Sequence, residues 1–339
     1  MKTERLSSIF SKYPNLTILV VGDFFLDEYQ IIEHSLKEIS IETGLEAHQV
    51  VEIRSSPGAA GTVTNNLTAM GVHVQGLGII GEDGHGYELK RALKKRGVET
   101  DALIESNSVF TPTYTKPMLR ETNGSLRELN RLDVKNRRPL EKNLEDEIIA
   151  CLKRMVPKVN GVIIADQVQE QNCGVITDRV REAIADLARQ NPNVIIGADS
   201  RERIGLFRDV IIKPNAREAT RIIHPEMDGE VDRSQLEKIG TELFERNDKT
   251  VFLTLGSKGI LSYHSGGSEF AQALPVRGPI DIVGAGDSAM SGIITALCAG
   301  ATPGEAAQIG NLAASVTIHQ VGTTGVASRE DMTRVAQLA

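Results

Sequence analysis

Thr17-Ile18-Leu19-Val20-Val21-Gly22 is an uncharged, β-branched run that stops at a glycine, the form taken by a strand buried on both faces. Similar runs recur at Val72–Ile80, Gly161–Ala165, Val194–Ala198, Val210–Lys213 and Val251–Leu255. Between them, helical patterns cover Thr62–Met70, Tyr87–Arg96, Leu144–Val156, Ile176–Arg189 and Gln235–Arg246. Strands alternating with helices predict an α/β fold with a mostly parallel central sheet covered on both faces. Ligands of such sheets bind beyond the carboxyl ends of the strands. Two stretches, Tyr29–Arg54 and Thr113–Asp133, break the alternation with extended patterns that lack helical spacing. They are expected to pair into a small separate β-sheet that closes over the site as a lid. No repeat, low-complexity segment or Pro/Gly/Ser linker divides the chain, so residues 1–339 read as one domain.

A composition of 40% hydrophobic and 24% charged residues is ordinary for a globular protein with a substantial core. A net charge of −7 argues against a nucleic-acid partner, which needs a basic face to displace counterions. The three cysteines, Cys151, Cys173 and Cys298, have no metal-type spacing. With no signal peptide visible in Met1–Asn15, they read as reduced thiols of a cytoplasmic protein. The longest apolar stretch, Ala289–Ala301, is too short to cross a bilayer, so no membrane partner is expected.

Chemistry enters at Asp281-Ile282-Val283-Gly284-Ala285-Gly286-Asp287, which leads into the small and apolar Ser288–Gly300. The small residues Gly284, Ala285 and Gly286 let the backbone approach a ligand, and the following helix points free N–H groups at it. Such a terminus carries roughly half a positive charge and binds phosphate readily. Asp287 then lies in the first turn, a carboxylate beside an anion hole, where an acceptor hydroxyl can be set in line with a γ-phosphoryl group. The same residues also suit a tight turn with an Asp cap. The functional reading is a small-molecule kinase with Asp287 as the catalytic group.

Other strand exits carry further candidates. Asp23 follows the first strand and Asp27 comes four residues later, a pair able to accept hydrogen bonds from vicinal sugar hydroxyls or to serve as turn cap and surface acid. Pro57-Gly58-Ala59-Ala60-Gly61-Thr62 runs small residues into a helix, so that a substrate lies against Gly58, Ala59 and Ala60 or the helix packs closely on a strand. Asn215 and Glu218 share a helix face after Val210–Lys213. That pair suits the water shell of Mg²⁺ or a capping box. Thr254-Leu255-Gly256-Ser257-Lys258-Gly259 is a glycine turn suited to nucleotide phosphates or ribose, or a tight hairpin.

The whole set resembles the ribokinase-like carbohydrate kinases, the PfkB family, over about Thr17 to Gly325. The resemblance rests on Pro57–Gly71, Gly81–Val98, the Asn215/Glu218 pair and, most specifically, Gly284-Ala285-Gly286-Asp287. It implies a three-layer α/β/α ribokinase-like fold, with Asp287 as catalytic base and the amides of Gly284–Gly286 as anion hole. It further implies ATP binding by Asn215, Thr254, Gly256, Gly259 and Asn311, with Mg²⁺ held by Glu218 and Asn215 through water. Asn311 is also readable as a polar residue on a helix face. The family also suggests a monovalent cation and a homodimer formed through the lid.

Within the family, Gly22-Asp23…Leu26-Asp27-Glu28-Tyr29, Thr115-Lys116 and Arg131-Leu132-Asp133 look like segments of the heptose 7-phosphate kinase branch. Lys116 and Arg131 would suit a substrate that already carries a phosphate. The chain departs from that branch at Ala59 and Thr62, where a second Gly and a sugar-contacting Asn are usual. Ile282 and Val283 replace common hydroxyl residues, and Asp166-Gln167 lacks a following aromatic and lysine. The resemblance does not extend to the nucleotidyl-transfer domain fused to some heptose kinases. The expectation is therefore an ATP-dependent sugar or sugar-phosphate kinase, and the alternative is a catalytically silent sugar or nucleotide sensor on the same fold. A dinucleotide-binding dehydrogenase is disfavoured, because no G-x-G-x-x-G follows Val21-Gly22-Asp23.

Overall fold

The structure, a computed structural model, describes every residue of the chain except 122, 228, 230, 277, 323 and 339. The chain forms α1 (Thr3–Phe10) and β1 (Thr17–Gly22), then leaves for β2 (Phe24–Glu33), the short strands β3 (Glu38–Ile39) and β4 (Glu46–Ala47), and β5 (Val50–Ala59). It returns through α2 (Ala60–Ala69), β6 (His73–Gly81), α3 (Gly84–Lys95) and β7 (Val98–Ser106). A second excursion makes β8 (Thr113–Arg120), β9 (Leu126–Glu128) and β10 (Leu132–Val134). Next come α4 (Lys142–Met155), β11 (Gly161–Asp166), α5 (Asp178–Gln190), β12 (Ile195–Ser200), β13 (Ile211–Ile212), α6 (Ala216–Ile223), α7 (Arg233–Asn247) and β14 (Val251–Thr254). The chain ends with β15 (Gly259–His264), β16 (Gly267–Gln272), α8 (Ala285–Cys298), α9 (Pro303–Ile318) and α10 (Arg329–Leu338).

Nine strands form the main sheet in the order β16-β15-β14-β13-β12-β11-β1-β6-β7. Pairing is parallel from β14 to β7, and β15 and β16 add an antiparallel edge. Strand alternation sorts the central residues: Ile18 and Val20 enter one apolar core, Leu19 and Val21 the other. The first core packs α1, α2, α8, α9 and α10, and the second α4, α5 and α7. The architecture is thus a three-layer α/β/α ribokinase-like fold. Tyr29–Arg54 and Thr113–Asp133 do pair: β2 lies between β5, antiparallel, and β8, parallel, in a separate small sheet.

One packing detail positions the site. In β12, a side chain at Gly197 would collide with Ile294 and Met290 of α8, so glycine there lets α8 settle close on the sheet. Met290, Ile293 and Ile294 are fully buried, which fixes where the first turn of α8 stands. No helix among the described residues is long and apolar enough to cross a membrane.

Candidate active site

Gly284 caps α8 in the left-handed region, with φ 80°, where glycine is unstrained. A Cβ there would lie 3.1 Å from Thr324 Cγ2 and 3.3 Å from Thr62 Cγ2, so two threonines crowd the turn where a side chain would stand. The Ala285 N–H is turned back onto Ile282 O at 3.2 Å. The amides of Gly284, Gly286 and Asp287 have no acceptor among the described residues and form the open donors of the nest.

Asp287 is half-buried in the first turn, and its carboxyl is pushed up to about 7. Burial is the main cause, the Asp199 carboxylate adds to it, and Lys213 and Arg201 oppose it. A catalytic base in this chemistry needs no such shift, so the raised value is a property of the pocket. The Lys213 ammonium lies 3.0 Å from Asp199 Oδ2. Burial works against its charge, yet Asp199, with smaller help from Glu218 and Asp287, holds its proton more tightly than usual. Asp199, Arg201 and Lys213 went unnoticed in the sequence. Each stands at or just after the end of a parallel strand, where ligands are expected, but none has a glycine signature beside it.

Asn215 and Glu218 form the capping box: Glu218 N–H donates to Asn215 Oδ1 at 2.9 Å, and Asn215 N–H to Glu218 Oε2 at 2.8 Å. Glu218 Oε1 keeps a free face. Burial raises the Glu218 carboxyl, only partly countered by the Asn215 amide, so this carboxylate is short of positive charge. No cluster of three metal-ligating side chains occurs among the described residues. Thr254–Gly259 is the hairpin between β14 and β15, and any Cβ on Gly259 would collide with Ala271 O. Gly256 (φ 57°) begins its tight turn and faces open space.

Two expected ligand contacts are otherwise engaged. Asp23 accepts the main-chain N–H groups of Gln167 at 2.8 Å, Val168 at 3.0 Å and Val175 at 2.8 Å. Its carboxylate braces the loop after β11 and is not open to sugar hydroxyls; burial and Asp166 nonetheless raise it to about 6. Asn311, 8% exposed, donates to Ala271 O and Gln272 O at 2.9 and 3.2 Å, tying α9 to the edge strand rather than lining an open pocket.

On the small sheet, Asp27 is held by Lys116 at 3.2 Å, and Lys116 also donates to Tyr29 Oη at 3.1 Å. A side chain at Gly58 would collide with the Asp27 carboxylate, so glycine leaves it room. Ala59 has φ 55°, a left-handed conformation that costs a non-glycine residue on the order of 1–3 kcal/mol, and Ala60 behind it is fully buried. Arg131 pairs with Asp133 at 2.6 Å and stacks over the Tyr114 ring at 4.4 Å. A groove of 530 Å³ runs between this sheet and the approach to α8, lined by Tyr29, Arg54, Lys116, Asp281, Val283 and Thr324. Arg131 does not line it.

A carboxylate beside open amides at a helix terminus, with cations around it and a groove lined by the residues just before that terminus, is the equipment of a phosphotransferase. The chain belongs to the pfkB family of carbohydrate kinases, whose family model matches residues 18–330. That family comprises phosphotransferases that act on an alcohol group of a sugar as acceptor. The chain is 28% identical over 336 residues to the bifunctional protein HldE of Desulfatibacillum aliphaticivorans, covering 97% of this chain and 65% of that protein. It is 25% identical to the HldE of Geotalea uraniireducens, again spanning 65% of its length. Among solved structures it is similar to Escherichia coli phosphofructokinase-2 in complex with fructose-6-phosphate, with TM-score 0.73, 17% identity, and 95% and 99% of the two chains covered. Arabidopsis thaliana ribokinase complexed with ribose and ATP matches with TM-score 0.68 and 18% identity over 96% and 99%.

Proposed function

We propose that the chain moves the γ-phosphoryl of ATP onto a hydroxyl of a sugar that already carries a phosphate, with Asp287 as the base. The observation that carries this reading is the Asp287 carboxylate beside the open amides of Gly286 and its own N–H, just past Asp281 and Val283, which line a groove together with Lys116 and Arg54. In the step, the acceptor oxygen bonds to phosphorus as the bond to the β-phosphate oxygen breaks. ADP leaves, and the hydroxyl proton passes to Asp287. The amides and the α8 dipole stabilise charge on the group in flight. The single domain closes its small sheet over the groove as a lid, excluding water.

Glu218 fits Mg²⁺: its free oxygen and unmet need for positive charge suit an ion that keeps most of its waters and takes few protein ligands. When bound, Mg²⁺ would neutralise phosphate charge, with Glu218 and Asn215 holding its water shell. A monovalent cation belongs to the same proposal, since Escherichia coli phosphofructokinase-2 was also solved in complex with potassium. Thr254, Gly256 and Gly259 are proposed to border the nucleotide. Asp27, with Gly58, Ala59 and Ala60, is proposed to hold the sugar. The finer substrate proposal is a heptose 7-phosphate phosphorylated at its 1-hydroxyl, in a cytoplasmic enzyme.

The decisive experiment screens sugars and sugar phosphates for stimulated ADP release with Mg²⁺·ATP, with and without KCl. Stimulation by a sugar phosphate and not by its parent sugar is expected. ADP release by the unphosphorylated sugar alone would remove the phosphate from the proposal. The exposed apolar residues of the hairpin region, among them Ile39, Ile41, Leu45 and Ile53, support a homodimer through the small sheets. Sedimentation should give a dimer that Ile53→Glu converts to monomer.

A further inference from the structure

Lys213 is 4% exposed, and its ammonium stands 3.0 Å from Asp199 Oδ2. A Cβ built on Gly286 would lie 3.6 Å from Lys213 Nζ and 4.0 Å from Asp199 Oδ2, so only the bareness of Gly286 separates this ammonium from the anion nest. An ammonium has three donor hydrogens. Asp199 accepts one, and no second acceptor lies within reach among the described residues. Burying a cation with unused donors is costly unless something else takes them up. The main chain fixes the position: Lys213 N–H donates to Ala198 O at 3.1 Å, which sets residue 213 beside Asp199.

We propose that Lys213, clamped by Asp199, donates directly to the phosphoryl group while it is being transferred, as a catalytic cation in the wall of the nest. The inference rests on the phosphoryl-transfer reading of Asp287. The transferring group spreads negative charge over its equatorial oxygens, and a cation already in place need not reorganise to meet it. Lys213 keeps its protons throughout, since the only proton that moves goes from the acceptor hydroxyl to Asp287. Asp199 has a separate task. Without it, the ammonium would be drawn onto Asp287 and neutralise the base; with it, cation and base stand apart around one nest.

The test begins with wild-type protein and a stimulating sugar substrate. Absence of any sugar-dependent ADP release would refute the kinase reading itself and is distinct from failure of this inference. With wild type active, Lys213→Met should lower kcat about 10²- to 10³-fold, with KM for ATP changed by less than about threefold. Ethylammonium added to Lys213→Ala should restore part of the lost turnover, which a merely structural lysine would not allow. Lys213→Gln keeps a donor toward Asp199 and guards against loss of folding, checked by circular dichroism. Turnover near wild type in either folded variant overturns the proposal. So does a loss confined to KM for ATP, or a Lys213→Ala enzyme that the amine leaves unimproved.

Discussion

The first turn of α8 and the small sheet, whose groove reaches Asp281 and Val283 just before that turn, are built in opposite ways. The nest is main chain, anchored by a helix whose Met290, Ile293 and Ile294 are fully buried, while its flanking side chains Ile282 and Val283 are 72% and 59% exposed. The small sheet works through side chains: Asp27, Tyr29 and Lys116 hold one another, and its outer strand β5 exposes Val50, Val51 and Ile53. Chemistry that rests on backbone tolerates changed neighbours, as at Ile282 and Val283. Substrate choice that rests on a few paired side chains does not. The two regions should therefore fail differently when altered.

The largest effect is expected at the nest. Asp287→Asn should lower kcat by at least about 10²-fold with little change in ATP affinity, measured by sugar-stimulated ADP release and nucleotide titration. Near-normal turnover would collapse the distinction between the regions. Next comes pH. The proposed base must be ionised to act and its carboxyl sits at about 7, so kcat/KM should fall about tenfold per unit as pH drops below that value and level off above it. Stability runs the other way: the carboxyl is raised from 3.8, so the folded state holds its proton more tightly and loses stability as pH climbs from about 4 to 7. Asp287→Asn should therefore melt higher than wild type at pH 8 and equally at pH 4.

On the small sheet, Lys116→Ala should raise KM for a sugar phosphate about tenfold while leaving kcat and ATP binding nearly unchanged, on the scale of one charge-assisted contact. Arg131→Ala sharpens the comparison, because Arg131 lies over Tyr114 and outside the groove lining; its KM effect should be the smaller of the two. The smallest expected change is at the junction. Ala59→Gly should stabilise the fold by about 1 kcal/mol in urea unfolding, since relief of the left-handed strain exceeds the entropy glycine adds to the unfolded chain. A destabilised variant would mean that the Ala59 methyl is needed where it stands.

Much of this was readable in advance, for a physical reason. Buried parallel strands such as Thr17–Gly22 must be continuously apolar, and their helices must be amphipathic, so both carry strong periodic signals. The edges do not. Strand β7 exposes one face, β16 is exposed along nearly its whole length, both mix charge with apolar residues, and β15 with β16 reverses direction, so the alternation ended early at Val251–Leu255. The same limit governs the site. Asp287 stands beside its own nest within one short segment, so its chemistry is local. Asp23 was misassigned because the amides that occupy it come from a loop 144 or more residues away. Lys213 and Asp199 acquire meaning only together, across neighbouring strands, and Asn311 only once β16 is seen beneath it.

Thr62 of α2 and Thr324, after α9, both close on Gly284 from the side where a Cβ would stand, bringing two distant parts of the chain onto one turn. Local unfolding that parts α2 from the segment after α9 would therefore strip the support from Gly284 while the core beneath α8 stays packed.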